Sequence, residues 1–328
     1  MINYREKTRN KNITSTIAII LVSIFLQSFA KCIAEINTPV GISLRNELNM
    51  QNESREDSSK NLKTGMVKVP GANIYYEMQG KGPILLMISG GSGDAGSYNR
   101  VISYLTGKYT IVTYDRRGYV RSKPDDPNQA LTIAEESDDI HYLLEALTRK
   151  PVCIFGSSIG AVIALDFASR FPEQARLTIA HEPPANYLTK DTASQNPQQN
   201  IQDILASQGA EEAMKEIASQ AGVELSNIGT ARSPDQLANA RFFLQKEFPA
   251  LAMYRFNFDE LKSSMKLTKF VIGIGTSSQG NGMGYLGALA ISDITGIPKV
   301  AFPGGHAGMS SQPEEFAGIL LGTLAKFK

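Results

Sequence analysis

Ser158 lies in Gly156-Ser157-Ser158-Ile159-Gly160, directly after the apolar run Val152-Cys153-Ile154-Phe155 and directly before Ala161-Val162-Ile163-Ala164-Leu165. A serine two residues from a glycine on either side, between a strand-like and a helix-like run, reads as a nucleophile elbow. The serine then occupies a strained turn, and the glycines remove side chains that would collide there. The chemistry implied is nucleophilic catalysis. A serine hydroxyl is a weak nucleophile at neutral pH and needs a base within hydrogen-bond reach, in practice a histidine. The chain has three histidines. His141 falls inside a helical pattern and reads as structural. His181 follows the apolar strand 177–180 and precedes Glu182-Pro183-Pro184, near the edge of a crevice. His306 stands in Pro303-Gly304-Gly305-His306-Ala307-Gly308, a glycine-rich loop after the last strand, and is the expected base. Such a loop can bring an imidazole back over the elbow.

A developing oxyanion needs backbone N–H donors. The loop Gly90-Gly91-Ser92-Gly93-Asp94 follows the apolar run 84–89, so the N–H groups of Gly91 and Ile159 are the expected pair, each worth roughly 3 kcal/mol in the transition state. Ser92 replaces Gly91 if the register is shifted by one. The same glycines could cradle a phosphate, but neither G-x-G-x-x-G nor Walker spacing occurs in the loop. No cofactor and no metal is expected.

These residues require a scaffold that aligns several strand ends. Short apolar runs at 84–89, 109–114, 152–155, 177–180, 270–274 and 299–302 alternate with helical segments at 132–147, after the elbow, around 285–294 and at 313–326. Strands separated by helices pair in parallel, and uninterrupted apolar strands are buried on both faces. The fold class is α/β, a mostly parallel central sheet with helices on both faces. A hairpin at 66–69 and 73–79, turned by Pro70-Gly71, opens it. Between about 185 and 266 the pattern breaks into helical segments such as 201–207 and 210–220, read as an inserted helical cap over the strand ends.

The chain of 328 residues is 42% hydrophobic and 20% charged, a globular composition, and its net charge of +1 gives no electrostatic ground for a nucleic-acid partner. A small-molecule acyl substrate fits better. Arg5, Lys7, Arg9 and Lys11 precede the apolar run 17–26, with Ser28 and Ala30 after it. This is the layout of a signal peptide over 1–30, or of an uncleaved membrane anchor, and either places the remainder outside the cytoplasm, secreted or periplasmic. Its removal takes four basic residues and one acidic residue and shifts the net charge to about −2. Residues 31–63 are polar and aperiodic, as in a linker. Of the two cysteines, Cys32 lies beside the cleavage region and Cys153 inside a buried strand, so no disulfide between them is expected.

GSSIG, the glycine loop, Asp115-Arg116-Arg117-Gly118-Tyr119-Val120-Arg121-Ser122 and the terminal Gly304-Gly305-His306-Ala307-Gly308 together resemble the α/β-hydrolase fold superfamily over about residues 64–328. The segment 115–122 is similar to the family's D-x-R-G-x-G-x-S turn, with Val120 where glycine is usual. The resemblance implies a serine hydrolase with a small helical cap, acting on a carboxylic ester or related acyl compound through an acyl-serine. The family's triad acid usually follows the penultimate strand, yet Gly275-Thr276-Ser277-Ser278-Gln279-Gly280 carries none, and Asp293 comes too late. Glu182 takes a position that some hydrolases of this fold use for the acid; otherwise it caps the HEPP turn. Ser277 or Ser278 could also orient His306 without charge. A ligand-binding pseudoenzyme lacking an efficient acid, and an acyltransferase, remain the alternatives.

Overall fold

The computed structural model describes residues 62–189, 197–223, 234–278 and 282–326. The expected leader at 1–30 and nearly all of the linker lie outside the described residues. The structure is mixed α/β around one sheet. Its strands are β1 (Lys63–Val69), β2 (Ala72–Gly80), β3 (Ile84–Ile88), β4 (Thr110–Tyr114), the two-residue β5 (Lys123–Pro124), β6 (Val152–Ser157), β7 (Ala175–His181), β8 (Lys269–Gly275) and β9 (Lys299–Phe302). They run in the order β1-β2-β4-β3-β6-β7-β8-β9, with β5 beside β2. Pairing is antiparallel at β1/β2, β2/β4 and β2/β5, and parallel from β4 through β9. The first strand begins at Lys63, one residue before the expected boundary.

The apolar runs form strands because both sheet faces are covered. Leu86, Ile88 and Ile154 point into one hydrophobic cluster, and Leu85, Met87 and Phe155 into another on the opposite face. Helices α1 (Ile133–Leu147) and α2 (Ile159–Arg170) pack on the first face, and α9 (Pro313–Lys326) on the second. Thr132 is the N-cap of α1 rather than its first residue: its side chain accepts from the Glu135 N–H at 3.1 Å. Residues 159–168 of α2 are all buried, which is why that segment lacks an amphipathic pattern.

Among the described residues, the stretch between β7 and β8 is helical: α3 (Pro197–Gln208), α4 (Ala210–Gln220), α5 (Pro234–Phe242), α6 (Phe248–Met253) and α7 (Phe258–Ser264). A π-helical turn, Phe243–Glu247, joins α5 to α6. The helix after β8, α8 (Met283–Thr295), starts two residues earlier than the sequence suggested. Registers such as Ile88 opposite Gly156, Ser157 opposite His181 and Gly275 opposite Phe302 bring the carboxyl ends of β3, β6, β7, β8 and β9 to one edge. The loops that leave this edge carry every residue singled out for chemistry.

Candidate active site

The turn between β6 and α2 is as tight as its glycines imply. Ser158 has φ 58° and ψ −129°, and its N–H donates to the His181 carbonyl at 2.9 Å. A Cβ on Gly156 would strike the Gly160 carbonyl, and one on Gly160 would strike the Ile88 carbonyl oxygen. Three non-glycine residues among those described have positive φ: Val120 at 30°, Ser158 at 58° and Glu182 at 49°. Such backbone costs of order 1–3 kcal/mol per residue and persists where the surroundings enforce it, commonly at functional sites. Two of the three are Ser158 and Glu182. The third, Val120, stands where the resembled turn has glycine, and here a β-branched residue takes a positive φ.

Glu182 and His306 come together. The Nδ1 atom of His306 lies 2.8 Å from Glu182 Oε2, while Glu182 Oε1 accepts from the Gly275 N–H at 2.8 Å. Glu182 is fully buried and the His306 side chain is 13% exposed. Burial alone would raise the Glu182 pKa. The hydrogen bond from His306, the fields of His181 and His306 and the Gly275 N–H outweigh it and hold the carboxylate down at about 2. Glu182 is therefore ionised at any working pH. A Cβ on Gly275 would sit 2.7 Å from Gly305 Cα and 2.9 Å from Glu182 Oε1, so a glycine here lets the loop that carries His306 and the carboxylate arriving from β7 both approach. The alternative in which Ser277 or Ser278 orients His306 is not what the structure shows, since Glu182 holds Nδ1 and Ser278 Oγ is buried without a hydrogen-bond partner among the described residues.

Ser158 and His306 line one cavity of about 260 Å3, without a hydrogen bond between Oγ and the ring in this conformation. Catalytic hydrogen bonds are often long before substrate binds. Gly90, Gly91, Ser92 and Ile159 line the same cavity. The N–H groups of Gly91 and Ile159 make no hydrogen bond within the described protein, and Ile159 is the first residue of α2, where the helix leaves its N–H unsatisfied. Both expected donors are thus available to a ligand. The N–H of Ser92, the alternative to Gly91, also makes no hydrogen bond within the described protein, while its Oγ pairs with Ser97 Oγ at 2.7 Å. The helical insert supplies the opposite wall, including Met214, Ile217, Phe243, Phe248 and Leu251. Among the described residues the lining contains no lysine, arginine, aspartate or glutamate.

The other two histidines are placed apart from this chemistry. His141 stacks on Phe171, ring centroids 4.4 Å apart, and its Nδ1 lies 3.1 Å from Gln174 Oε1. His181 is fully buried beneath the site, among the rings of Phe155, Phe302 and Phe316, and among the described residues neither ring nitrogen has a hydrogen-bond partner. Asp293 is exposed on α8 and pairs with Lys299 at 3.3 Å.

The setting of His181 predicts a pH effect on stability. Burial lowers its pKa to about 4 from 6.5, with Glu182 opposing and His306 adding to the shift. The ring stays neutral when folded, while the unfolded chain takes up a proton below about 6.5. Its contribution to stability is therefore lost as pH falls from about 6.5 to about 4, by roughly 3 kcal/mol. In His181→Leu, urea unfolding at pH 7 and pH 4.5 should differ by roughly 2 kcal/mol less than in the parent. Equal pH dependence in the two proteins would remove this account of the ring.

Comparison with known proteins agrees with this architecture. Residues 83–213 match the family described as alpha/beta hydrolase fold. The chain is similar to the uncharacterized hydrolase YraK of Bacillus subtilis (strain 168), 33% identical over 268 residues that cover 81% of this chain and 98% of the relative. It is also similar to a zearalenone hydrolase of Cladophialophora bantiana, 26% identical over 278 residues, with 81% and 98% covered. Among solved structures, naproxen esterase (carboxylesterase NP) of Bacillus subtilis superposes with a TM-score of 0.61 at 16% identity, over 88% of this chain and 99% of that one, a likeness of fold. With the strand order, the elbow and a relative aligned along nearly its whole length, the chain belongs to the alpha/beta hydrolase fold family and is a hydrolase of that fold.

Proposed function

We propose that this protein is a serine hydrolase that cleaves an uncharged carboxylic ester through an acyl-serine on Ser158. The observation that carries the reading is the contact between Glu182 and His306, because an ionised carboxylate on Nδ1 leaves Nε2 as the basic nitrogen on the side of the cavity. In the forward step Ser158 Oγ bonds to the ester carbonyl carbon while its proton passes to His306 Nε2. The carbonyl electrons move onto oxygen, where the N–H groups of Gly91 and Ile159 receive them. Collapse breaks the bond to the alkoxy oxygen, which leaves as the alcohol with the proton from His306. Water, deprotonated by the same nitrogen, then bonds to the acyl carbon; the bond to Ser158 Oγ breaks, Oγ takes the proton back from His306, and the acid is released. The relatives' names include hydrolase and esterase, in keeping with this chemistry. The leader layout at 1–30 supports action outside the cytoplasm, secreted or periplasmic. Among the described residues no helix is long and apolar enough to cross a membrane.

The binding-protein alternative rested on a missing acid, and a carboxylate 2.8 Å from His306 counts against it. An acyltransferase would share every residue up to the acyl-enzyme. The cavity argues for the substrate's character. An apolar cavity of 150 Å3 accepts benzene, so about 260 Å3 of mostly apolar lining takes roughly ten non-hydrogen atoms. With p-nitrophenyl esters, kcat/KM should rise about threefold to fourfold per methylene up to roughly eight acyl carbons and fall beyond that. Rapid mixing should show a burst of nitrophenolate equal to the enzyme present, if deacylation is the slower step. A flat chain-length profile, or a preference for charged acyl groups, would contradict the assignment of the cavity.

A further inference from the structure

We propose that Glu247, in the helical insert, is a positioning residue for the oxyanion hole: it holds Arg116, and through Arg116 it fixes the peptide that carries the Gly91 N–H. The inference rests on the serine-hydrolase reading of the same site.

Arg116 is fully buried and branches three ways. Its Nη2 donates to the Gly90 carbonyl at 2.7 Å and to Glu247 Oε2 at 3.0 Å, and its Nη1 donates to Glu136 Oε1 at 3.1 Å. The Gly90 carbonyl and the Gly91 N–H belong to one planar trans peptide and point in opposite directions. Drawing the carbonyl oxygen toward Arg116 therefore turns the Gly91 N–H away from Arg116, on the side where Gly91 lines the cavity. The Gly93 N–H, 3.0 Å from the same carbonyl oxygen, reinforces that orientation. Gly90 abuts the nucleophile: a Cβ there would lie 3.2 Å from Ser158 Cβ.

Glu247 is fully buried, pairs with Arg116 and accepts from the Tyr119 hydroxyl. It ends the π-helical turn 243–247, a rare geometry that frequently marks functional sites. The same stretch touches the glycine loop at two further points. The ring of Phe243 packs where a Cβ on Gly91 would be, 3.0 Å away at its nearest atom. Asn239 Nδ2 donates to the Ser92 carbonyl at 3.0 Å. The insert thus touches Gly91 and Ser92 directly and reaches Gly90 through Arg116. A merely space-filling cap has no need for a buried carboxylate aimed at an arginine that itself grips the loop. On this account the insert does two jobs: it walls the cavity and it sets the donor geometry of the reaction.

The test compares the parent, Glu247→Gln and Asn239→Ala in steady-state hydrolysis of a p-nitrophenyl ester, in binding of a trifluoromethyl ketone that mimics the tetrahedral intermediate, and in thermal unfolding. For Glu247→Gln, kcat should fall about 10- to 100-fold, KM should stay within about twofold, and affinity for the ketone should fall by the same factor as kcat. Asn239→Ala should show the same split with a loss of a few-fold. A lowered Tm with parental kcat and parental ketone binding would make the cluster structural only and overturn the proposal. If Glu247→Gln does not fold, Asn239→Ala decides, and parental kcat there overturns it. A parent that neither turns over esters nor reacts with a fluorophosphonate overturns the serine-hydrolase reading and this proposal with it. An active parent with an unaffected Glu247→Gln overturns this proposal alone.

Discussion

Ser158→Ala should lower kcat for ester hydrolysis by about 10^6, the scale found when the serine of a comparable triad is removed, with the residue above background coming from the oxyanion hole and binding. The loss is chemical rather than structural. Among the described residues Ser158 Oγ makes no hydrogen bond, and what holds the turn is the backbone bond from its N–H to the His181 carbonyl, which alanine keeps. Alanine must still adopt φ near 58°, where serine is strained as well, so Tm should move little. The cavity also stays intact, so KM and ketone-free ligand binding should be close to parental. A variant that loses less than about tenfold would mean that another group is the nucleophile.

Glu182→Gln should cost about four orders of magnitude in kcat, by the logic of tautomers rather than charge alone. The amide oxygen of the variant is drawn to the Gly275 N–H, which now holds Oε1 at 2.8 Å. The amide NH2 then faces His306 Nδ1 and donates to it, so the ring proton is displaced to Nε2, the nitrogen that must take the proton of Ser158. The base is thereby blocked while every atom keeps its place. Acidity gives an independent check on the parent. Because the Glu182 pKa is held at about 2, its protonation should not appear in the rate profile above pH 4. Its stabilising contribution is complete above 4.5 and is lost as pH falls toward 2. A Glu182→Gln enzyme with near-parental kcat would leave Glu182 as a turn residue only.

The elbow, the loop of the proposed base and the glycine loop were readable in the chain because each is local. Gly156 and Gly160 sit two residues either side of Ser158, and His306 lies in a loop directly after the last apolar strand. The sheet was readable too, since strands covered on both faces are uninterrupted apolar runs. The partner of His306 was not decidable from sequence. Glu182 and His306 are 124 residues apart, and only the parallel pairing of β7 with β8, and of β8 with β9, places both beside Gly275. The signals in hindsight are the missing carboxylate after β8 and a glutamate directly after the β7 run.

The insert was the least legible part. The helices α5 to α7 and the π turn carry no clean periodicity, because one stretch faces solvent, the cavity wall and the glycine loop in turn. The pairing of Arg116 with Glu247 spans 131 residues, so the segment 115–122, which looked like a structural turn, conceals the grip of Arg116 on Gly90. Gly118 belongs to the same arrangement: a Cβ there would strike the ring of Phe242, whose edge packs on Tyr119 at 4.9 Å between centroids. The glycine of that turn serves the approach of the insert as well as its own backbone.

The central claim is that Ser158 forms the covalent bond. Treating the full-length protein with a fluorophosphonate and measuring intact mass, then mapping the modified peptide, tests it most directly. The account predicts one adduct per chain on Ser158, lost in Ser158→Ala and formed much more slowly in His306→Ala and Glu182→Gln. An adduct on another residue, or none on the folded parent, would contradict it.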